Sequence, residues 1–344
     1  MESRLALVRA THLNNYISAL REIGAPVDRD LAHSNLPKNI ESTPDLYVSI
    51  PVALEWIART GHDFHPMELG LIGAQAASLS SLRPIQQAAI MTAQTGLKRL
   101  EALAALSQFE DSALEMSVRQ EADDVRVICN TAGLERHPYI CLAEWLNLQA
   151  VISVVRSVVG PMWSPSEMCF VSPHRLTDAI HTAFPTTRIL VGQPQTSVVV
   201  GRVYLAQSTG QSAPSGSALV ASGDDHQGQP EGWEFVSLLR KMVQPYLTDG
   251  RTDVAFAAEM AGISTRTLQR RLKLCGSSYS QILQEARFEL ARRSLGDPAL
   301  KVIDVAMMAG YESPQHFTRA FRRFTGITPT DYRHQNFSRG SEAL

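Results

Sequence analysis

Residues 258–273 read AEMAGISTRTLQRRLK, and residues 306–323 read AMMAGYESPQHFTRAFRR. Both begin A-x-x-A-G, continue with an apolar residue (Ile263 or Tyr311) and soon reach a serine (Ser264 or Ser313). Small residues let two helices approach closely, and glycine permits the tight turn between them, the role expected of Gly262 and Gly310. Each serine is suited to cap a new helix, and Pro314 takes the favoured first helical position. The pattern predicts two helix-turn-helix units.

The helices that follow the turns also repeat. Leu268 and Leu272 precede Phe317 and Phe321 by 49 residues, whereas Gly262 and Gly310 are 48 apart and Gly276 and Gly326 are 50 apart. The drift implies single-residue insertions, Glu312 among them. Side chains four apart share one face of a helix, so Leu268 and Leu272 should point inward and leave Arg266, Gln269, Arg270 and Lys273 outside. In the second copy Phe317, Phe321 and Phe324 are expected inward, with Gln315, His316, Arg319, Arg322 and Arg323 outside. No acidic residue interrupts 264–273 or 314–323.

Arginine can bridge guanine O6 and N7, glutamine can pair with adenine N6 and N7, and further Arg and Lys neutralise phosphates. A basic, solvated helix face would explain one such stripe. Two stripes, each behind its own turn, point to double-stranded DNA as the partner.

Working outward, EFVSLLRKMVQPYL before the first copy and YSQILQEARFELARRSL between the two are helical in pattern. Six to seven short helices with no β-type alternation predict an all-α domain over 233–337, followed by a tail, 338–344. Upstream lies a Gly-, Ser-, Gln- and Pro-rich stretch, read as a flexible linker over 207–232. Charge divides at the same place. From Trp233 onward there are 16 Lys+Arg and 11 Asp+Glu, net +5, while the remainder holds the other 16 and 23, net -7.

Residues 1–206 read as α+β, with helices near Leu5–Glu22, Pro51–Thr60, Leu82–Leu106 and Tyr139–Val159. Strand-like runs are Ala113–Arg119, Val125–Asn130, Glu167–Val171, Arg188–Val191 and Ser197–Val200. No run of about 18 to 20 consecutive apolar residues is present, and the start is not signal-like, so a cytoplasmic chain with no membrane partner is expected. Cys129, Cys141, Cys169 and Cys275 are scattered, which suggests neither a disulfide framework nor a zinc site.

A catalytic constellation does not assemble: His62 and His65 flank Asp63 without a third ligand and read as a loop or helix end. Trp56, Trp145 and Trp163 could line a ligand pocket, although tryptophan is more often core. Gly70 and Gly73 lack the context of a phosphate loop and read as turn and packing. The expectation is a protein that is not an enzyme, with no metal and no cofactor.

The region from about Glu234 to Arg333 resembles the DNA-binding domain of the AraC/XylS family of bacterial regulators, through GISTRTLQRRLK, GYESPQHFTRAFRRFTG and the terminal GITPTDYR. The resemblance implies two helix-turn-helix units joined by a long helix, Tyr279–Leu295, with recognition helices in successive major-groove segments roughly one turn, ~34 Å, apart. Carried over by position, Arg266, Gln269 and Arg270 resemble the base-reading set of the first unit, and Gln315, His316 and Arg319 that of the second. Lys273, Arg322 and Arg323 remain for phosphates. One departure is that Leu272 reaches its glycine in four residues and Phe321 in five.

Phrases such as IPVALEWIARTG, MELGLIGAQAASL and FPTTRILVGQPQTSVVV resemble the arabinose-binding-type sensor domain attached to one branch of that family. This implies sensing of an unknown small-molecule effector and self-association as a homodimer. The resemblance favours activation through RNA polymerase, while the residues are equally compatible with repression. A non-specific architectural DNA protein would explain the basic faces but not Gln269, Gln315 and His316 among them.

Overall fold

The computed structural model describes residues 5–75, 77–207 and 235–341, the last six of these by backbone alone. The chain divides into two compact units, 1–36 with 40–232 and 37–39 with 233–344. Apart from Gln207, the stretch read as a linker lies outside the described residues, as do residues 342–344 of the tail.

The first unit is α/β. Strand β1 (Leu7–Arg9) pairs antiparallel with β2 (Tyr47–Ser49), and a second sheet runs β3-β4-β7-β5-β6, with β3 (Leu114–Gln120), β4 (Asp124–Thr131), β5 (Glu167–Cys169), β6 (Arg188–Leu190) and β7 (Ser197–Gly201). Only β5 and β6 are parallel. Nine helices belong to this unit among the described residues: α1 (Ala10–Glu22), α2 (Val27–Ala32), α3 (Ile50–Thr60), α4 (Pro66–Gln75), α5 (Pro84–Met91), α6 (Gly96–Ser107), α7 (Ile140–Val159), α8 (Asp178–Ala183) and α9 (Arg202–Leu205).

By length and composition α7 could cross a membrane. It is instead the helix around which the unit packs, with Trp145, Leu148, Val151, Ile152, Val154 and Val155 buried. Its Glu144 is buried too, and the carboxylate is satisfied by the backbone N–H groups of Val171 and Ser172 and by the hydroxyl of Thr196.

Three sequence expectations change here. The segment Leu5–Glu22 is not one helix: Leu7–Arg9 is strand, held to the chain around Ser112 by the Leu7 N–H donating to Ser112 Oγ at 2.8 Å. Leu82–Leu106 is two helices, because Thr92 and Thr95 break it. The Thr92 hydroxyl donates to the Ala88 carbonyl, and Thr95 Oγ1 accepts from the Lys98 N–H to start α6. Gly70 and Gly73 lie within α4 and make no turn. A β-carbon at Gly70 would stand 2.4 Å from Trp145, and one at Gly73 would stand 2.0 Å from Tyr16, so these glycines make room for two buried rings.

The second unit is all α: α10 (Phe235–Val243), α11 (Val254–Met260), α12 (Thr265–Leu274), α13 (Tyr279–Leu295), α14 (Val302–Met308), α15 (Pro314–Thr325) and α16 (Pro329–Ser341), with a short 3-10 turn at Gln244–Tyr246. Helix α10 packs on α11 and α13, burying Leu238, Leu239, Met242 and Val243. The second half has its own core, in which Phe317 and Phe321 meet Ala291, Leu295, Val305 and Ala306. Phe324, expected inward, is half exposed. It lies at the last turn of α15, past the end of that core, and stacks on Phe288 at 4.6 Å between centroids.

Candidate nucleic-acid interface

Each helix-turn-helix is built by local hydrogen bonding that its sequence dictates. After α11 the Gly262 N–H donates to the Glu259 carbonyl and the Ile263 N–H to the Ala258 carbonyl; after α14 the Gly310 and Tyr311 N–H groups repeat this with Met307 and Ala306. This paired closure requires a left-handed residue at the glycine, and φ is 64° at Gly262 and 73° at Gly310. The turns then reach Ser264, whose Oγ accepts from the Thr267 N–H at 3.2 Å, and Ser313, whose Oγ accepts from the His316 N–H at 3.3 Å. Those caps start α12 and α15, the latter with Pro314 in its first turn.

Both helices carry the same two faces. Leu268 and Leu272 of α12 and Phe317 and Phe321 of α15 are buried. Arg266, Gln269, Arg270 and Lys273 are exposed on α12; Gln315, His316, Arg319, Arg322 and Arg323 are exposed on α15. At roughly 100° per residue, each set falls within an arc of about 100° to 120° opposite the buried pair. None of the six arginine and lysine side chains in these sets takes part in a salt bridge among the described residues, which leaves their charge open to an outside anion. Arg271, in contrast, turns back and covers the Phe235 ring at 5.4 Å.

The unequal approach to the closing glycines has a structural reason. After α12, Gly276 closes with the same paired bonds as the two turns, the Ser277 N–H reaching the Leu272 carbonyl at 2.9 Å. After α15, Gly326 closes with a single bond to the Arg322 carbonyl at 2.8 Å and φ of 81°. Two different caps thus end the two helices, one residue apart in register.

Residues that the sequence reading did not single out join the halves. On α13 the Tyr279 hydroxyl donates to the Thr252 carbonyl at 3.0 Å beside the start of α11. Further along α13, Gln284 Oε1 accepts from the Tyr311 hydroxyl at 3.2 Å, and the Arg287 guanidinium covers the Tyr311 ring at 5.1 Å. Arg240 of α10 pairs with Glu285 and Glu289 of α13, both at 3.4 Å. Such contacts leave no periodic trace in sequence.

A protein-family profile described as a helix-turn-helix domain matches residues 257–335, which spans both turns and both basic faces. These residues form an AraC-type helix-turn-helix domain. With it, the chain is a DNA-binding transcriptional regulator. The HTH-type transcriptional regulator VirS of Mycobacterium tuberculosis is 23% identical over 329 residues, covering 95% of this chain and 96% of that one. The Ornithine utilization regulator of Pseudomonas aeruginosa is 37% identical over 81 residues, 24% of each chain. The crystal structure of the transcriptional regulator CdpR from Pseudomonas aeruginosa aligns with 94% of this chain and 96% of that one, at 22% identity and a TM-score of 0.41. Within the AraC-type domain, α12 and α15 are the second helices of the two units.

Outside the AraC-type domain, Trp163, weighed from sequence as a pocket or core residue, is partly buried against the core with its ring 6.4 Å from that of Tyr204. Trp56 and Trp145 are core. His65 Nδ1 accepts from the Met67 N–H at 3.3 Å at the start of α4, and His62 Nε2 lies 3.4 Å from Asp63 on the surface. Cys129, Cys141 and Cys169 are buried free thiols.

Proposed function

We propose that this regulator reads two successive major-groove segments on one face of promoter DNA. Arg266, Gln269 and Arg270 read bases in one segment, Gln315, His316 and Arg319 read bases in the next, and Lys273, Arg322 and Arg323 hold phosphates. The observation that carries the reading is the pair of serine-capped helices with matched exposed polar faces, free of salt bridges among the described residues. Helix α13, 17 residues long, spans about 25 Å, a length that supports two reading helices set apart on the scale of a DNA turn.

Residues 1–206 would bind a small-molecule effector and pair two copies of the chain, and 207–232 would tether them to the DNA-binding domain, 233–337. A homodimer then contacts about twice the DNA length of one chain and gains from tethering two weak events. The effector changes DNA engagement only by favouring one of two states of the whole chain. Contact with RNA polymerase would make the regulator an activator, acting in the cytoplasm where the promoter is.

Footprinting tests the reading. The full chain should protect a longer segment than residues 233–344 alone, with the same base preference inside each half-site, and binding by both should weaken steeply with salt. Equal footprints from the two would remove pairing from the first unit. A promoter reporter that falls rather than rises with the regulator would make it a repressor.

A further inference from the structure

The first unit contains a cavity walled by α1, α3, α6 and α7 and by the chain between α4 and α5, which with its mouth encloses about 930 Å³ of atom-free space. The walls are largely aliphatic, Leu13, Leu54, Ile57, Leu103 and Leu146 among them, and no Lys or Arg lines them. The polar lining residues are His12, Tyr16, Glu110, Asp111, Asn147 and three serines. Tyr16 is committed, its hydroxyl donating to the Leu142 carbonyl at 2.8 Å, and Asp111 Oδ1 accepts from the Ala113 and Leu114 N–H groups.

Two polar atoms on lining residues are buried without a hydrogen-bond partner: Glu110 Oε1 and Asn147 Nδ2. Glu110 is 5% exposed and Asn147 is 9% exposed. One is an acceptor and the other a donor. Among the described residues Asn147 Nδ2 has no partner, and Glu110 Oε1 is met only by Arg83 Nε at 3.8 Å, too long for a hydrogen bond, so a guest group that both accepts and donates would satisfy the pair.

We propose that this cavity is the effector site and that its ligand is an uncharged, mainly aliphatic molecule with one polar end able both to donate and to accept hydrogen bonds, a primary carboxamide or an alcohol. The inference rests on the reading of the first unit as a sensor. A sugar would set several hydroxyls against aliphatic walls, each giving up its hydrogen bonds to water. A carboxylate would find no cation in the lining and would face Glu110 and Asp111. An ammonium is no better placed, because Glu110 is already met by Arg9 Nη1 at 2.6 Å and by His12 Nε2 at 2.9 Å, with Arg83 Nε 3.8 Å from its other oxygen.

The test is calorimetric titration of the full chain with probes that share one tail: octanamide, 1-octanol, octanoate and octylamine, with L-arabinose as the polyol. Octanamide or 1-octanol should bind at one site per chain, and octanoate, octylamine and arabinose at least about ten-fold more weakly. Ala150→Phe, which fills the cavity, should abolish binding. Asn147→Leu should weaken octanamide about ten-fold while leaving toluene, which has no polar end, bound at least as tightly. Failure of both octanamide and 1-octanol to bind, equal binding of octanoate or arabinose, or unaltered binding to Ala150→Phe would overturn the proposal. Parallel measurement of affinity for a DNA fragment selected by the full chain from random sequences separates the two readings. Binding of octanamide as described with unchanged DNA affinity keeps the ligand class and refutes effector control. A DNA affinity that responds to small molecules from a cell extract, with no probe bound, keeps effector control and refutes this cavity.

Discussion

A β-carbon on Gly310 would stand 2.7 Å from the carbonyl oxygen of Leu247. Leu247 follows the 3-10 turn after α10, in the first half of the DNA-binding domain, and Gly310 is the turn of the second half. The second helix-turn-helix unit therefore meets, backbone to backbone, the chain that leads from α10 into the first helix-turn-helix, at a residue that also needs positive φ. Gly262 has the same φ requirement and open space around it.

From that difference, alanine at the two turn glycines should not cost the same. Gly262→Ala should destabilise the unit by about 1 to 2 kcal/mol, the cost of a left-handed alanine. Gly310→Ala should cost clearly more, because the Leu247 backbone must also move, and it should disturb DNA binding by tilting one reading helix against the other. Urea midpoints of the two variants decide this, and equal shifts would remove the role of the Leu247 contact.

On the proposed reading, variants of the exposed stripes should separate base readers from anchors. Arg270→Ala should lose about 1 to 3 kcal/mol of discrimination at particular base pairs, whereas Lys273→Ala should weaken all sequences alike and lower the salt slope by about one. Competition binding against single-base variants of a selected site measures both. A common factor at every site for both variants would refute direct readout by Arg270.

The cap of the second reading helix should be separable from its surface. Ser313→Ala removes the acceptor of the His316 N–H and should cost about 1 kcal/mol of stability. Ser313→Asp restores an acceptor and should recover stability, yet bring a negative charge to the end of the helix nearest DNA and weaken binding. Thermal melts paired with DNA titrations show whether the two readouts part in this way.

Acid should loosen the first unit through Glu110. Burial pushes its carboxyl up, but hydrogen bonds and charges from His12 and Arg9 outweigh that and hold it below the usual carboxylate range. The unfolded chain thus binds the proton more readily, so this contribution is full above about pH 5 and fades as pH falls through the lower value of the folded state. Glu110→Gln leaves Arg9 buried without its buried carboxylate, with only the exposed Asp45 still paired to it, and should destabilise the unit by roughly 3 kcal/mol at pH 7. The difference from the parent should shrink toward pH 3, as followed by denaturation across pH; a difference constant with pH would refute the linkage.

What the sequence determined by itself is local. A-x-x-A-G followed by a serine specifies a glycine-closed turn and a capped helix because every hydrogen bond involved spans only three to five residues, and leucine or phenylalanine pairs four apart fix which face turns inward. The break in Leu82–Leu106 is local in the same way, Thr92 and Thr95 bonding to their own neighbours, yet the apolar periodicity on both sides read as one helix across it. Only the tertiary structure decided the rest. That Gly310 abuts Leu247, that Phe324 leaves the core to stack on Phe288, and that Gly70 and Gly73 clear space for Trp145 and Tyr16 all depend on atoms 36 to 75 residues apart in the chain. The cavity gathers His12, Glu110 and Asn147 from three separate segments, 37 to 135 residues apart, and no periodicity or motif relates such positions, because what places them together is packing rather than local backbone geometry.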